Sequence, residues 1–213
     1  MTAREQILAD IRAALGRAGC APPAPLAPLL RNPQMDRNCF VQLFVQNLEK
    51  LAGKVAVVPS PEDVAAALGA LLNGKQAVAS NAPFLKTCGI AAHDQVRSGF
   101  TDRDALRAAC AAADVGITSA DYALAETGTL VMLSSADEAR LISLLPPVHI
   151  AIFPRSRLLA NLDELLAAIP KPADRSSSLV LITGPSRTAD IEQILIRGVH
   201  GPGELHAVIV ENA

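Results

Sequence analysis

The sequence predicts an α/β protein: a largely parallel sheet with helices on both faces and one inserted β-hairpin. Three observations carry that expectation. Short β-rich apolar runs alternate with amphipathic stretches along most of the chain, the pattern of strand–helix–strand units. Several of those runs (76–80, 148–153, 179–182) have apolar residues at consecutive positions rather than at every second one, as in strands covered on both faces. The two runs at 124–126 and 129–133 are instead separated only by Thr127-Gly128, the spacing of a hairpin. Of the 213 residues, half are hydrophobic but only 3% are aromatic, with one Tyr and no Trp. Small aliphatic side chains must therefore fill the layers.

The elements follow in order. In residues 4–15, Ile7, Leu8, Ile11 and Leu15 form one stripe with charges elsewhere, an amphipathic helix with Thr2 as its cap. Pro22, Pro23, Pro25, Pro28 and Pro33 then fall within 12 residues and exclude a continuing helix. This gives three parts: an N-terminal helix at 1–18, a Pro-rich linker at 19–38 and an α/β domain at 39–213. Within the domain, Phe40, Leu43, Phe44, Asn47, Leu48 and Leu51 have helical spacing, and 55–58 is a strand. Ser60-Pro61-Glu62-Asp63 starts a helix, with Ser as cap and acids in the first turn, that ends at Asn73-Gly74. A strand at 76–80, helices at 81–86 and 101–113, the hairpin, a helix near 136–144 and a strand at 148–153 follow. Asn161 caps a helix through Ile169, 179–182 is a buried strand, a helix follows Ser186, and 206–210 is the last strand.

Composition excludes several classes. With 19 basic and 21 acidic side chains the net charge is −2, which offers no general attraction to nucleic-acid phosphates. No apolar run approaches the roughly 18 residues of a membrane span, so a soluble, cytoplasmic chain is expected. Cys20, Cys39, Cys88 and Cys110 form no CxxC pair, so the thiols are expected to be reduced, with neither metal nor iron–sulfur cluster. No cofactor motif is present.

Three segments have the residues for chemistry. In GITSADYALAETGTLV the only Tyr stands with Asp121 and Glu126 among apolar residues. The Glu126-Thr127-Gly128 turn would present a carboxylate as nucleophile, general base or ligand-positioning acceptor, or satisfy turn amides only. In LVLITGPSRTADIE a strand runs into Thr183-Gly184-Pro185-Ser186 with Arg187 and Thr188 beside it. Helix-start amides, hydroxyls and a guanidinium there suit a phosphate or carboxylate, although neither GxxxxGK[ST] nor GxGxxG is present. In RGVHGPGELH, His200 and Glu204 could face a cleft as base or ligand, or the turn could only let the last strand dock. His149 reads as a core histidine and His93 as exposed.

Taken together, REQILADIRAALGR, GITSADYALAETGTLVMLS at 116–134, RLISLLPPVHIAIF at 140–153 and ITGPSRTADIEQILIRGVHGPGELHAVIVEN at 182–212 resemble the lactate utilization protein C family, which carries the LUD domain. The resemblance covers nearly the whole chain. It implies an accessory component of a three-part system that oxidises L-lactate to pyruvate, with iron–sulfur oxidoreductase subunits as partners and a small anionic metabolite in its cleft. It also implies a fold similar to ribose phosphate isomerase and the CoA transferases. The nucleophile of those transferases is a Glu in a Glu-x-Gly turn, to which Glu126-Thr127-Gly128 is similar, though with Ala125 and Thr127 as flanks. The site residues implied are Asp121 and Glu126 as catalytic groups, with Thr127, Gly128, Thr183, Gly184, Ser186, Arg187, Thr188 and His200 around a ligand. The alternative is an independent enzyme acting on a carboxylated or phosphorylated metabolite with Glu126 as nucleophile or base.

Overall fold

The computed structural model describes residues 2–16, 36–188 and 196–213, which fall in two units, 1–33 and 34–213. In the first, helix α1 (Ala3–Ala14) starts with a capping box: the Glu5 amide donates to Thr2 Oγ1 at 3.3 Å and the Thr2 amide to the Glu5 carboxylate at 2.6 Å. Its apolar stripe, Ile7, Leu8, Ile11 and Leu15, is exposed. Most of the expected linker lies outside the described residues. The second unit begins with Asp36, whose carboxylate accepts the Asn38 amide and caps a 3-10 turn at Arg37–Cys39.

The second unit is built on six parallel strands. Numbered along the chain, they are β1 (Lys54–Val58), β2 (Ala77–Ala79), β3 (Val96–Arg97), β4 (Val115–Ser119), β7 (Val148–Pro154) and β12 (Glu204–Val210). Their order across the sheet is β1-β12-β7-β4-β2-β3, every pair parallel. Side chains alternate between faces along a strand, so the apolar runs divide in two. Ile150, Ile152, Val208 and Val210 face α3 (Asp63–Leu72) and α4 (Pro83–Thr87), with Val64, Leu68 and Leu72 fully buried against them. Each of these three stabilises the fold by about 1.5–3 kcal/mol relative to exposure. Ala151, Phe153, Ala207 and Ile209 face α2 (Phe40–Lys50), where the Phe44 ring meets that of Phe153 edge to face at 5.6 Å. On that same side α5 (Arg103–Ala112) covers Val78 through Ala109 and Cys110.

The hairpin expected around Thr127-Gly128 is β5 (Tyr122–Leu124) and β6 (Thr129–Leu133), antiparallel and joined by a turn through Ala125–Gly128. It is the middle of a second sheet of four strands, β8-β5-β6-β9, with β8 (Leu158–Leu159) parallel to β5 and β9 (Leu179–Ile182) antiparallel to β6. Helices α6 (Leu162–Ala168) and α7 (Pro172–Arg175) lie between β8 and β9 in the chain. Asn161 caps α6 as its position predicts, accepting the Glu164 amide at 3.2 Å.

Several elements differ from expectation. The strand at 179–182 is an edge strand with Leu181 44% exposed, not a buried one; a run of four apolar residues looks the same in either place. Ser60 does not cap α3 as an acceptor, because its amide and hydroxyl both donate to the Asp63 carboxylate, at 3.1 and 2.8 Å. The helix expected near 136–144 is one 3-10 turn at Arg140–Ser143. Ser135 Oγ accepts the amides of Asp137 and Glu138 as an N-cap would, but the Asp137 carbonyl accepts the Asn81 amide at 2.9 Å and Ala139 is extended, so no helix continues. That turn lies against Gly116, where an added Cβ would stand 1.9 Å from the Ile142 carbonyl oxygen. After Ser186 the chain is not helical: β10 (Arg187–Thr188) pairs antiparallel with β11 (Ile196–Arg197). The remainder of that expected helix, 189–195, lies outside the described residues.

Candidate functional site

The two motif segments that dominate the sequence meet at the carboxyl end of α2. Asn47 donates its side-chain amide to the carbonyls of Ala125 and Glu126, at 3.1 and 2.8 Å. The Glu126 amide in turn donates to the Ala160 carbonyl at 2.9 Å, so the turn is held from both sides. Gly128 sits at φ +63, and a Cβ there would lie 2.4 Å from the Leu48 backbone nitrogen. Only glycine fits a left-handed turn pressed against a helix in this way. The Thr127 and Thr129 hydroxyls are 2.7 Å apart and the Thr129 and Thr183 hydroxyls 2.8 Å, which ties the turn to the segment after β9. Gly184, at φ +99, approaches Leu51, and the Arg187 guanidinium donates to the Leu51 carbonyl. Arg187 therefore serves one of the orphan carbonyls at the end of α2, where a cation is also favoured by the helix dipole.

The Glu126 side chain is exposed and makes no hydrogen bond or ion pair among the described residues. Its backbone is fixed while its carboxylate is free. Thr183, Gly184, Ser186 and His200 line a common cleft of about 250 Å³, whereas Thr188 is paired with Ile196 in β10 and β11. At that cleft also lies His149, 1% exposed, with one ring nitrogen 2.7 Å from the Thr118 hydroxyl and Nδ1 without a partner among the described residues. Burial holds this imidazole neutral down to about pH 4. Reading His149 as a core histidine captured its burial but not its place at a cleft. His93 is half-buried rather than exposed, with its Nε2 enclosed and unpartnered among the described residues. Glu204 is held by Lys54 at 3.1 Å and His206 at 3.3 Å.

Asp121 lies in another place, a cleft of about 240 Å³ that it lines with Phe84, Ser119, Asp137, Glu138 and Arg157. Ser119 ends β4 and Pro154, also lining the cleft, ends β7; Ser80, directly after β2, bonds to Glu138. The cleft therefore opens at the carboxyl ends of adjacent parallel strands, where α/β sheets bind ligands as a rule. Burial raises the Asp121 carboxyl above its ordinary range, opposed by the Leu133 amide, which donates to it at 2.7 Å, and by the Arg157 and Arg175 charges. Glu138 is buried more deeply, and burial pushes it up to about 8 against the pull of the Ser119 amide and Ser80 hydroxyl. Sequence reasoning missed Glu138, because Asp137-Glu138 looks like the solvated first turn of a helix. It also missed Asn47, for which the sequence offers no signal. Cys88 and Cys110 are buried thiols, Cys88 pushed up to about 11 by burial, and among the described residues no group of His, Cys, Asp and Glu is arranged to hold a metal ion.

A six-stranded parallel sheet flanked by helices, with a β-hairpin sheet and an E-T-G turn locked onto a helix end, defines the class, and comparison with known proteins gives the family. The chain belongs to the LUD domain family, whose model matches residues 41–210. It is similar to proteins named "Lactate utilization protein C": 44% identical over 104 residues to that of Halalkalibacterium halodurans, covering 47% of this chain and 45% of the relative. To that of Bacillus subtilis it is 41% identical over 104 residues, covering 47% and 43%. These matches span about half the length of the curated relatives. A crystal structure of a DUF162 family protein from Deinococcus radiodurans shares the fold, with a TM-score of 0.62, 22% identity, and coverage of 83% of this chain and 99% of that one. Among the described residues no helix is long and apolar enough to cross a membrane.

Proposed function

We propose that the chain acts in L-lactate utilization, the oxidation of lactate to pyruvate, as a cytoplasmic accessory subunit partnered by iron–sulfur oxidoreductase subunits. The observation that carries this reading is its similarity, at 41–44% identity over about a hundred residues, to proteins named for lactate utilization. In this reading the cleft lined by Thr183, Gly184, Ser186 and His200 takes a small anionic metabolite. The Ser186 hydroxyl and His200 imidazole supply donors, and neutral His149 below adds a group that can accept or donate. Arg187, engaged by the Leu51 carbonyl, positions the segment rather than the ligand. Deletion of the gene should abolish growth on L-lactate as sole carbon source and leave growth on glucose intact. Unimpaired growth on lactate removes the reading.

The free carboxylate of Glu126 on its fixed turn favours a second one, an independent enzyme of the CoA transferase or isomerase-like group acting on a carboxylated or phosphorylated metabolite. A Glu126 oxygen would attack the acyl carbon of an acyl-CoA, the thiolate of CoA would leave, and an acyl-glutamyl anhydride would remain. Mass spectrometry of the intact chain after incubation with acyl-CoA donors should then show an adduct, lost in Glu126→Gln. No adduct with any donor rejects this mechanism.

A further inference from the structure

The cleft at the carboxyl ends of β2, β4 and β7 contains a group that neither reading uses. Glu138 is 6% exposed. Its Oε2 accepts from Ser80 Oγ at 2.8 Å and from the Ser119 amide at 3.0 Å, while Oε1, also enclosed, has no partner among the described residues. The Ser135 hydroxyl, accepting the amides of 137 and 138, fixes the backbone beneath it. A buried polar atom without a partner is costly and marks a place where a ligand atom can replace water. The surroundings decide what kind of atom. Asp121 and Asp137 line the same cleft, and among the described residues its one lining cation is Arg157. That guanidinium already donates to the Asp121 carbonyl at 3.1 Å and lies over the Tyr122 ring at 5.6 Å. Arg175 acts on Asp121 from outside the lining. Three carboxyl groups thus share the cleft with one guanidinium; Ser119 and Ser135 add hydroxyls, and Pro83, Phe84 and Pro154 form its apolar side.

We propose that this cleft binds a small primary ammonium compound, its N–H groups on Glu138 Oε1 and the Asp121 and Asp137 carboxylates and its alkyl part against Phe84 and Pro154. Binding is coupled to a proton. Glu138, pushed up to about 8 by burial, is mostly protonated at pH 7, and an ammonium ion favours its carboxylate. The carboxylic acid and the free ammonium ion become a carboxylate–ammonium pair, and one proton goes to solvent. Holding the acid protonated at pH 7 weakens binding by about tenfold, a loss recovered by about pH 8. An anion would couple in the opposite sense, tightening as Glu138 takes up its proton.

Titration calorimetry of the full chain with ethylammonium chloride, in two buffers of different ionisation enthalpy, tests this. Binding at pH 7 should release close to one proton, strengthen by about tenfold per pH unit below 8 and level off above it. Acetate and glycerol should not bind. Glu138→Gln keeps an acceptor for Ser80 and Ser119 and should abolish both the binding and its pH dependence. Arg157→Gln, which removes the cleft's cation, should tighten ethylammonium several-fold, an effect that a merely structural role for Arg157 does not give. If Glu138→Gln does not fold, carboxyl NMR of the unaltered chain must show the Glu138 pKa falling when ethylammonium is added. No binding at pH 8.5, binding without proton release, binding that survives Glu138→Gln, an unmoved Glu138 pKa, or acetate binding that weakens as pH rises each overturns the proposal.

Discussion

Replacement of Gly128 by Ala should be among the most damaging single changes available to this fold, and its magnitude can be worked out. Two terms add. The residue sits at φ +63, where an L side chain costs about 1–2 kcal/mol. The new Cβ would stand 2.4 Å from the Leu48 nitrogen and 2.8 Å from the Leu48 Cα, backbone atoms of a helix whose Phe40, Phe44 and Leu48 are buried. Such a helix cannot give way without opening the core, so an overpacking cost of about 1–3 kcal/mol follows. The sum is roughly 2–5 kcal/mol. At about 2–4 °C per kcal/mol for a chain of this size, Tm should fall by roughly 5–20 °C. Gly74 supplies the control: it sits at φ +70, but its added Cβ would meet nothing within 4 Å. Gly74→Ala should therefore show the backbone term alone, about 1–2 kcal/mol. Urea unfolding of both variants separates the terms. If Gly128→Ala destabilised the chain no more than Gly74→Ala, the turn would not be pressed against α2 and the reasoning would fail.

Three further predictions rest on neighbouring features. Asn47→Ala leaves the Ala125 and Glu126 carbonyls without their donor and should cost about 1–3 kcal/mol by urea unfolding; faster amide hydrogen exchange at the turn should accompany it, and unchanged exchange there would deny Asn47 its clamping role. Glu138 binds its proton more tightly folded, at about 8, than unfolded, near 4.5, so stability should fall as pH rises from about 4.5 to 8, by at most about 5 kcal/mol. Glu138→Gln should remove that slope and become the more stable of the two above pH 7; a flat difference between them from pH 5 to 8 contradicts this. His149 is shifted the other way, from 6.5 to about 4, so the unfolded chain takes up its proton first and stability should drop by up to about 3 kcal/mol as pH falls from 6.5 to 4. His149→Gln should flatten that limb in thermal melts, and an unaltered slope would place the lost protons elsewhere.

The parallel sheet was legible because its central strands are covered on both faces. Ala151 and Phe153 point to α2 while Ile150 and Ile152 point to α3, and such a strand reads as an unbroken apolar run. The hairpin was legible from Gly128, whose conformation few other residues can adopt. The edge position of 179–182 was not, because Leu-Val-Leu-Ile has no polar residue to mark a solvent side. The helix expected near 136–144 failed because the Asp137 carbonyl accepts the Asn81 amide and the backbone at Ala139 is extended, long-range pairing that no local pattern records. Of the candidate residues, Thr183, Gly184, Ser186 and His200 share a cleft, because a turn after β9 and a turn before β12 face each other. Glu138 was illegible because its partners, Ser80 and Ser119, are 58 and 19 residues away. No local pattern distinguishes a carboxylate that will be buried from one that will be solvated.

Much of what makes the two motifs recognisable serves packing, for a physical reason. The residue types that make the two motifs recognisable are those a tight contact demands: Gly128 and Gly184 where backbone meets α2, the Thr127–Thr129–Thr183 hydroxyl chain between segments, and Arg187 on an orphan helix carbonyl. Groups whose bonding capacity is filled in this way have little left for a ligand. Among the described residues, atoms with unused capacity include the Glu126 carboxylate in solvent, His93 Nε2, His149 Nδ1 at one cleft and Glu138 Oε1 at another. Buried atoms are costly to leave unpaired, and His149 Nδ1 and Glu138 Oε1 each lie where a ligand could relieve that cost. Chemistry in this fold is accordingly to be sought at the unsatisfied atoms, and the Thr and Gly residues of the motifs are to be read as the clamp that holds the turn and the Thr183–Ser186 segment in position.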